Sequence, residues 1–314
     1  MLDIETYNKI IDSPPFRQLE KILFFVSMGN YNVDLVINKL FFKTKRIKDI
    51  SNFPIIFIGG CMRSGTTLAR SLIGMHPQII APQRECYLFN LQHISRLKST
   101  LQISNLLNEY KDNYNNNYLR FTEHFLNSYI NQENKPYVAL KAPIYVNIVK
   151  ELHQIFPKMK FIHVIRDGRD VVCSIRKFPS KIIVDGKIIP IDTKNPFPMC
   201  VKKWVTYVKA GIKSRGSDRY IELRYEDLVN STVEMAKNLF QFLDLDMPDE
   251  KHLLNFYKHE VDEMHIHSIE VGKPIFKSSI GRWKKDMSDH EKKYFKKIAG
   301  KLLIELGYEK DCNW

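Results

Sequence analysis

Long apolar runs are missing from this 314-residue sequence. None approaches the ~20 residues that a membrane-spanning helix needs, and the longest, Ile22 to Met28, has the length of a core segment. Cysteine is scarce: the five (Cys61, Cys86, Cys173, Cys200 and Cys312) are odd in number, scattered and without a C-x-x-C pair. That argues against a disulfide framework and a zinc site, and it favours a reduced compartment. The opening residues, MLDIETYNKIID, lack the basic and apolar regions of a secretory leader. A cytoplasmic protein without a transmembrane segment is therefore expected. Internal repeats and low-complexity linkers are absent as well. So are nucleic-acid recognition motifs and any arginine-rich aromatic surface, which excludes a nucleic-acid partner. His265 and His267 have no third ligand nearby in sequence, so no metal is expected.

What is present is a globular composition, 44% hydrophobic and 26% charged, with a formal charge of +13. A basic balance favours an anionic partner, although lysines on solvated faces give the same sum. Residues 1–50 read as a helical extension packed on the main domain, because Leu19, Ile22, Leu23 and Val26 recur at helical spacing. From residue 51 to 314 the pattern alternates. Apolar strands are expected at residues 55–59, 137–141, 160–165 and 220–225, with helical stretches between them, including 144–156 and 198–214. Strands joined by helical crossovers form a parallel sheet covered on both faces. The fold expected is α/β, a doubly wound parallel sheet of the P-loop type flanked by helices. Ser231-x-x-Glu234 and Ser288-x-x-Glu291 read as capping boxes at later helix starts. Asp185-Gly186 between apolar runs predicts a hairpin, either a flap over a cleft or a surface decoration.

Three stretches carry chemistry. The first, GGCMRSGTTLAR, follows an apolar strand and opens a helix. Its spacing is that of a phosphate loop, but Thr66 stands where a nucleotide triphosphatase has lysine. Backbone amides and the helix N-terminus form an anion cradle there, and Arg63, Ser64, Thr66 and Thr67 add donors. Without the lysine a triphosphate with its magnesium is disfavoured, and a 5′-phosphate carrying a singly charged sulfonate is suited. The second, HVIRDGRDVVCSI, puts Arg166 at the carboxyl end of a strand, where open α/β sheets bind ligands. Ser174, eight residues on, and Arg176 complete a second phosphate site. The alternative is a solvated network of Arg166 with Asp167 and Asp170. In the third, ALKAP, Lys141 also ends a strand, and a plain surface lysine is the competing reading.

Together these pieces resemble the sulfotransferases that use 3′-phosphoadenosine 5′-phosphosulfate (PAPS), more narrowly the tyrosylprotein sulfotransferases. Similar segments continue through His76-Pro77, CVKKW at 200–204, RYEDLV at 224–229 and KPIFKSSIGRW at 273–283, so the likeness covers roughly residues 54–308. The resemblance implies that Arg63, Ser64, Gly65, Thr66 and Thr67 bind the 5′-phosphosulfate. Arg166 and Ser174 would take the 3′-phosphate, and Tyr225 and Lys273 would complete the nucleotide site. Lys141 would stabilise the bridging oxygen, and Glu85 and Ser268 fall where the family places its catalytic carboxylate and serine; His76 competes for the role of base. The implied product is PAP, and the acceptor is a hydroxyl on a peptide tyrosine, a sugar, a lipid or a small phenol. A homodimer is left open. The reading from another class is a P-loop kinase, which would need the absent lysine and a strand-ending aspartate for magnesium.

Overall fold

The computed structural model describes residues 54–82, 85, 134–177, 180–184, 187–191, 195–256 and 277–314. The expected helical extension at 1–50, the polar stretch at 87–132, and Ser268 and Lys273 lie outside the described residues. Contacts divide the chain into one unit of residues 47–87, 123–180 and 192–314 and another of 1–46, 88–122 and 181–191.

In the first unit, β1 (Ile55–Gly60) is buried along its whole length, as a central parallel strand must be. The phosphate loop leads into α1 (Thr66–Ile73), followed by the short β2 (Ile79–Ile80) and by β3 (Tyr137–Lys141). A 3₁₀ turn at Pro143–Ile148 precedes α2 (Val149–Ile155), so the helix expected over 144–156 is half 3₁₀. Pro143 at the first position has no amide to offer an intrahelical bond there. β4 (Lys160–Ile165) leads into α3 (Gly168–Arg176). The strands β5 (Ser180–Val184) and β6 (Lys187–Ile191), which from Lys181 on belong to the other unit, pair as a two-stranded sheet; the turn expected at Asp185-Gly186 lies outside the described residues. α4 (Phe197–Ile212), β7 (Tyr220–Arg224), α5 (Tyr225–Asn230), α6 (Thr232–Phe242) and α7 (Glu250–Leu253) follow. The chain closes with α8 (Trp283–Asp286) and α9 (Asp289–Glu305).

The main sheet has the order β2-β3-β1-β4-β7, and every pairing is parallel. β1 is central. The chain leaves it toward β2 and β3 on one side and crosses to β4 and β7 on the other, so the switch of direction lies at its carboxyl end. On one face Ile56, Ile58, Ile162 and Val164 join Leu72 of α1 and Leu239 and Phe240 of α6 in the main core. On the other, Phe57 meets the edge of Tyr145 at 5.1 Å and tilts against Phe156 at 5.7 Å. Burial on both faces explains why β1, β3 and β4 read as largely apolar runs, whereas β7, at the sheet edge, is only partly buried and carries Glu222 and Arg224.

Candidate active site

Four carboxyl strand ends converge on one edge of the sheet. The loop 61–65 follows β1, Lys141 is the last residue of β3, Arg166 follows β4 and Tyr225 follows β7. Parallel pairing brings them level: Ile58 is in register with Lys141, Gly60 with Val164 and Ile165 with Arg224.

The loop is shaped by close approach. A Cβ on Gly60 would lie 2.3 Å from the Val164 carbonyl oxygen, so only glycine lets β1 leave the sheet here. Arg63 at φ 67° and Gly65 at φ 96° are both left-handed. A Cβ on Gly65 would lie 2.5 Å from the Tyr225 ring, so the glycine is also where that ring packs. Ser64 is buried, and its Oγ has no hydrogen-bond partner among the described residues. A buried polar atom left this way costs free energy unless a ligand supplies the partner. Cys61 is filler: it is fully buried, and burial pushes its thiol up to about 12.

The second phosphate motif folds onto the first. Arg63 Nε donates to Ser174 Oγ at 3.1 Å. Arg166 donates to the Arg63 carbonyl at 3.1 Å and to the Ser279 carbonyl at 2.6 Å, and its guanidinium lies 4.2 Å from the Tyr225 ring centroid. Its Nε is buried without a partner among the described residues. Ser279 Oγ and the Tyr225 hydroxyl are 2.8 Å apart. Behind Arg166, Trp204 Nε1 donates to the Arg166 carbonyl at 3.2 Å.

No carboxylate is ion-paired with Arg166 among the described residues, which corrects the reading of a network with Asp167 and Asp170. Asp167 caps α3 and pairs with Arg169 at 2.7 Å, and Arg169 also pairs with Glu309. Asp170 accepts from backbone amides. Arg176 pairs with Glu291, so the third phosphate donor expected at that position is engaged elsewhere.

Lys141 is 3% exposed, and its Nζ lies 2.7 Å from Glu85 Oε1. The plain surface lysine is thereby excluded. His76 is no free base. Its Nδ1 accepts from the Gln78 amide at 3.1 Å, so Nε2 carries the proton and donates to the Asp246 carbonyl at 3.1 Å. Burial lowers its pKa and keeps it neutral. Of the residues singled out in the sequence, the structure gathers Arg63, Ser64, Gly65, Arg166, Ser174 and Tyr225 into one cluster and pairs Lys141 with Glu85. Thr66 and Thr67 open α1 beside the loop. Ser279 was not anticipated as a site residue, although it lies within KPIFKSSIGRW, one of the family-like segments.

This is a site at the carboxyl edge of an α/β sheet, with cations and buried donors that have no partner among the described residues in place of a Walker lysine, and a matching family model defines its class. Residues 54–249, more than half of the chain, match the sulfotransferase family, and the chain belongs to it. It is 26% identical over 278 residues to the protein-tyrosine sulfotransferase of Drosophila melanogaster, covering 83% of this chain and 52% of that enzyme. It is 24% identical to protein-tyrosine sulfotransferase A of Caenorhabditis elegans, covering 83% and 68%. The chain thus spans about half the length of the first of these relatives. The sulfotransferase domain of the Synechococcus olefin synthase superposes with TM-score 0.57 at 20% identity, covering 82% of this chain and 97% of that domain. The corresponding domain of the curacin pathway gives 0.54, with 82% and 98% covered.

The expectation of a cytoplasmic enzyme is corrected by these relatives, since protein-tyrosine sulfotransferases are Golgi membrane enzymes. Scattered cysteines and the lack of a leader-like start carried that expectation, and neither determines compartment. Among the described residues no helix is long and apolar enough to cross a membrane.

Proposed function

We infer that the chain moves a sulfonate from PAPS to an acceptor hydroxyl, and that a protein tyrosine is the acceptor. The observation that carries the donor is the pair of buried orphans, Ser64 Oγ and Arg166 Nε, set beside the Arg63–Ser174 contact. Such donors suit a ligand with two separate anionic groups. In this reading the loop, with Arg63, Ser64, Gly65, Thr66 and Thr67, holds the 5′-phosphosulfate. Arg166 and Ser174 hold the 3′-phosphate, and Tyr225 lines the nucleotide. The relatives' names are what favour tyrosine over a sugar, lipid or small phenol.

The transfer forms a bond from the acceptor oxygen to sulfur and breaks the bond from sulfur to the bridging oxygen, releasing PAP. Glu85 takes the acceptor's proton, and the Lys141 ammonium offsets the charge that grows on the bridging oxygen. A phenol, with a pKa of ~10, needs less help from a base than an alcohol. Ser268 and Lys273 keep the roles implied by family resemblance, a catalytic serine and a nucleotide contact.

A thermal-shift titration with PAP against ATP plus magnesium tests the donor. At a hundredfold excess over Kd a ligand stabilises by about 2.7 kcal/mol, so PAP raises Tm and Arg166→Ala abolishes the shift. A shift with ATP–magnesium alone overturns the reading in favour of a kinase. Transfer from PAPS to a tyrosine peptide, absent with its phenylalanine counterpart, tests the acceptor.

A further inference from the structure

Arg166, Asp170 and Ser174 recur every four residues, and Asp170 and Ser174 lie one turn apart on α3. Two of the three belong to the donor site argued above, and Asp170 stands between them. It is 1% exposed, and both of its oxygens are used. Oδ2 accepts the Gly281 amide at 2.7 Å, and Oδ1 accepts the Trp283 amide at 3.0 Å. The segment held in this way, residues 277–283, turns through Gly281 at φ 72°. A third tie comes from Arg169, whose guanidinium lies 3.9 Å from the Trp283 ring and 4.5 Å from that of Trp314.

The held segment ends in the site. Ser279, two residues before Gly281, gives its carbonyl to Arg166 and shares a hydrogen bond with the Tyr225 hydroxyl. Arg166 is long and has many rotamers, and fixing it before the ligand arrives removes an entropic cost from binding. We propose that Asp170 is a positioning residue for the 3′-phosphate side of the donor site, acting through the 277–283 turn and Ser279 on Arg166 and Tyr225. The proposal rests on the PAPS reading of that site. It assigns the turn a duty that no contact with the nucleotide is needed to explain: a carboxylate buried in α3 sets the aim of an arginine four residues away by way of a segment more than a hundred residues on.

Asp170→Asn in the full chain is the test. Asparagine has one acceptor oxygen, and its NH₂ would face the second amide, so one of the two ties is lost. Calorimetric titration compares PAP with adenosine 5′-monophosphate, which lacks the 3′-phosphate. Losing a hydrogen bond to a charged group weakens PAP about tenfold or more, while the monophosphate stays near its wild-type affinity, so discrimination between the two collapses. A merely structural role would lower Tm or weaken both ligands together. A folded Asp170→Asn protein whose ratio of the two affinities matches wild type overturns the proposal. Gly281→Ala serves if the first variant does not fold: its Cβ meets no atom within 4 Å, so it strains only the turn. It too should lose discrimination, and an unchanged ratio overturns the proposal. A wild type that binds PAP and the monophosphate equally overturns the donor assignment itself, and the role of Asp170 with it.

Discussion

An ammonium at 3% exposure is costly to bury unless a partner is close, and Lys141 has Glu85 at 2.7 Å. Glu85 is itself one-third exposed, so the pair faces outward from the strand end. Removing the cation leaves the carboxylate with access to water, and the fold should survive. Lys141→Met is therefore expected to lower the rate of transfer by about 10²–10³, the size of a lost transition-state donor, with the Kd for PAP nearly unchanged. Single-turnover rates and calorimetry separate the two, and a parallel loss of both would show that Lys141 binds the donor instead. At this scale the sequence was most informative at strand ends. Arg166 and Lys141 each close an apolar run, and in a parallel sheet that fact alone puts them at the ligand edge. Ser279 was illegible because its place depends on bonds to residues 54 and 113 positions away. His76 was ambiguous for a similar reason: the carbonyl that pins it, Asp246, is 170 residues distant.

Elements depend on their junctions, and the two predicted capping boxes show how. Ser288 has the extended backbone of an N-cap (φ −71°, ψ 161°), and both bonds of its box with Glu291 are present. Ser231 has the same spacing to Glu234 but makes no side-chain cap bond. It is also the residue that ends α5: its amide donates to the Asp227 carbonyl, and its ψ of 54° is far from extended. A spacing rule cannot register that a single residue, Ser231, separates the end of the previous helix from the start of the next. The start of α3 is a junction of another kind. Gly168 faces Trp204 of α4, and a Cβ there would lie 2.4 Å from the indole. Gly168→Ala must separate α3 from α4 and pull Trp204 Nε1 from the Arg166 carbonyl. A loss of about 1–3 kcal/mol is expected from overpacking, read as a lower urea midpoint, together with weaker PAP binding. A variant as stable as wild type would mean that the indole moves freely, contrary to its complete burial.

For the whole molecule, strand–helix alternation made the parallel sheet legible, while the order β2-β3-β1-β4-β7 depends on which strands the crossovers bring together and was not. The same sheet buries a histidine that ties stability to pH. His163 of β4 is fully buried between Tyr220, whose hydroxyl lies 2.6 Å from Nδ1, and Gly211 of α4. Nε2 has no partner among the described residues. Desolvation first, and then the charge of Arg215, lower its pKa to about 3. The unfolded chain takes up this proton near the ordinary pKa of ~6.5, and the folded chain does not. Stability from His163 is therefore complete above about pH 6.5 and is lost as pH falls toward 3, by up to about 1.4 kcal/mol per pH unit for one proton. His76 and His153, also lowered by burial, act in the same direction. Asp170 and Glu226 oppose it: burial raises both, so the folded state takes their protons more readily than the unfolded one, and their contribution grows as pH falls toward the carboxylate range. Between pH 7 and 5 the histidines dominate, and the urea midpoint should fall. The Tyr220 hydroxyl donates to Glu222, so His163→Gln, whose side-chain amide keeps a donor toward that hydroxyl, should flatten that dependence. If the variant loses as much stability between pH 7 and 5 as wild type does, the acid sensitivity arises elsewhere, with self-repulsion of the chain's +13 charge as the first place to look.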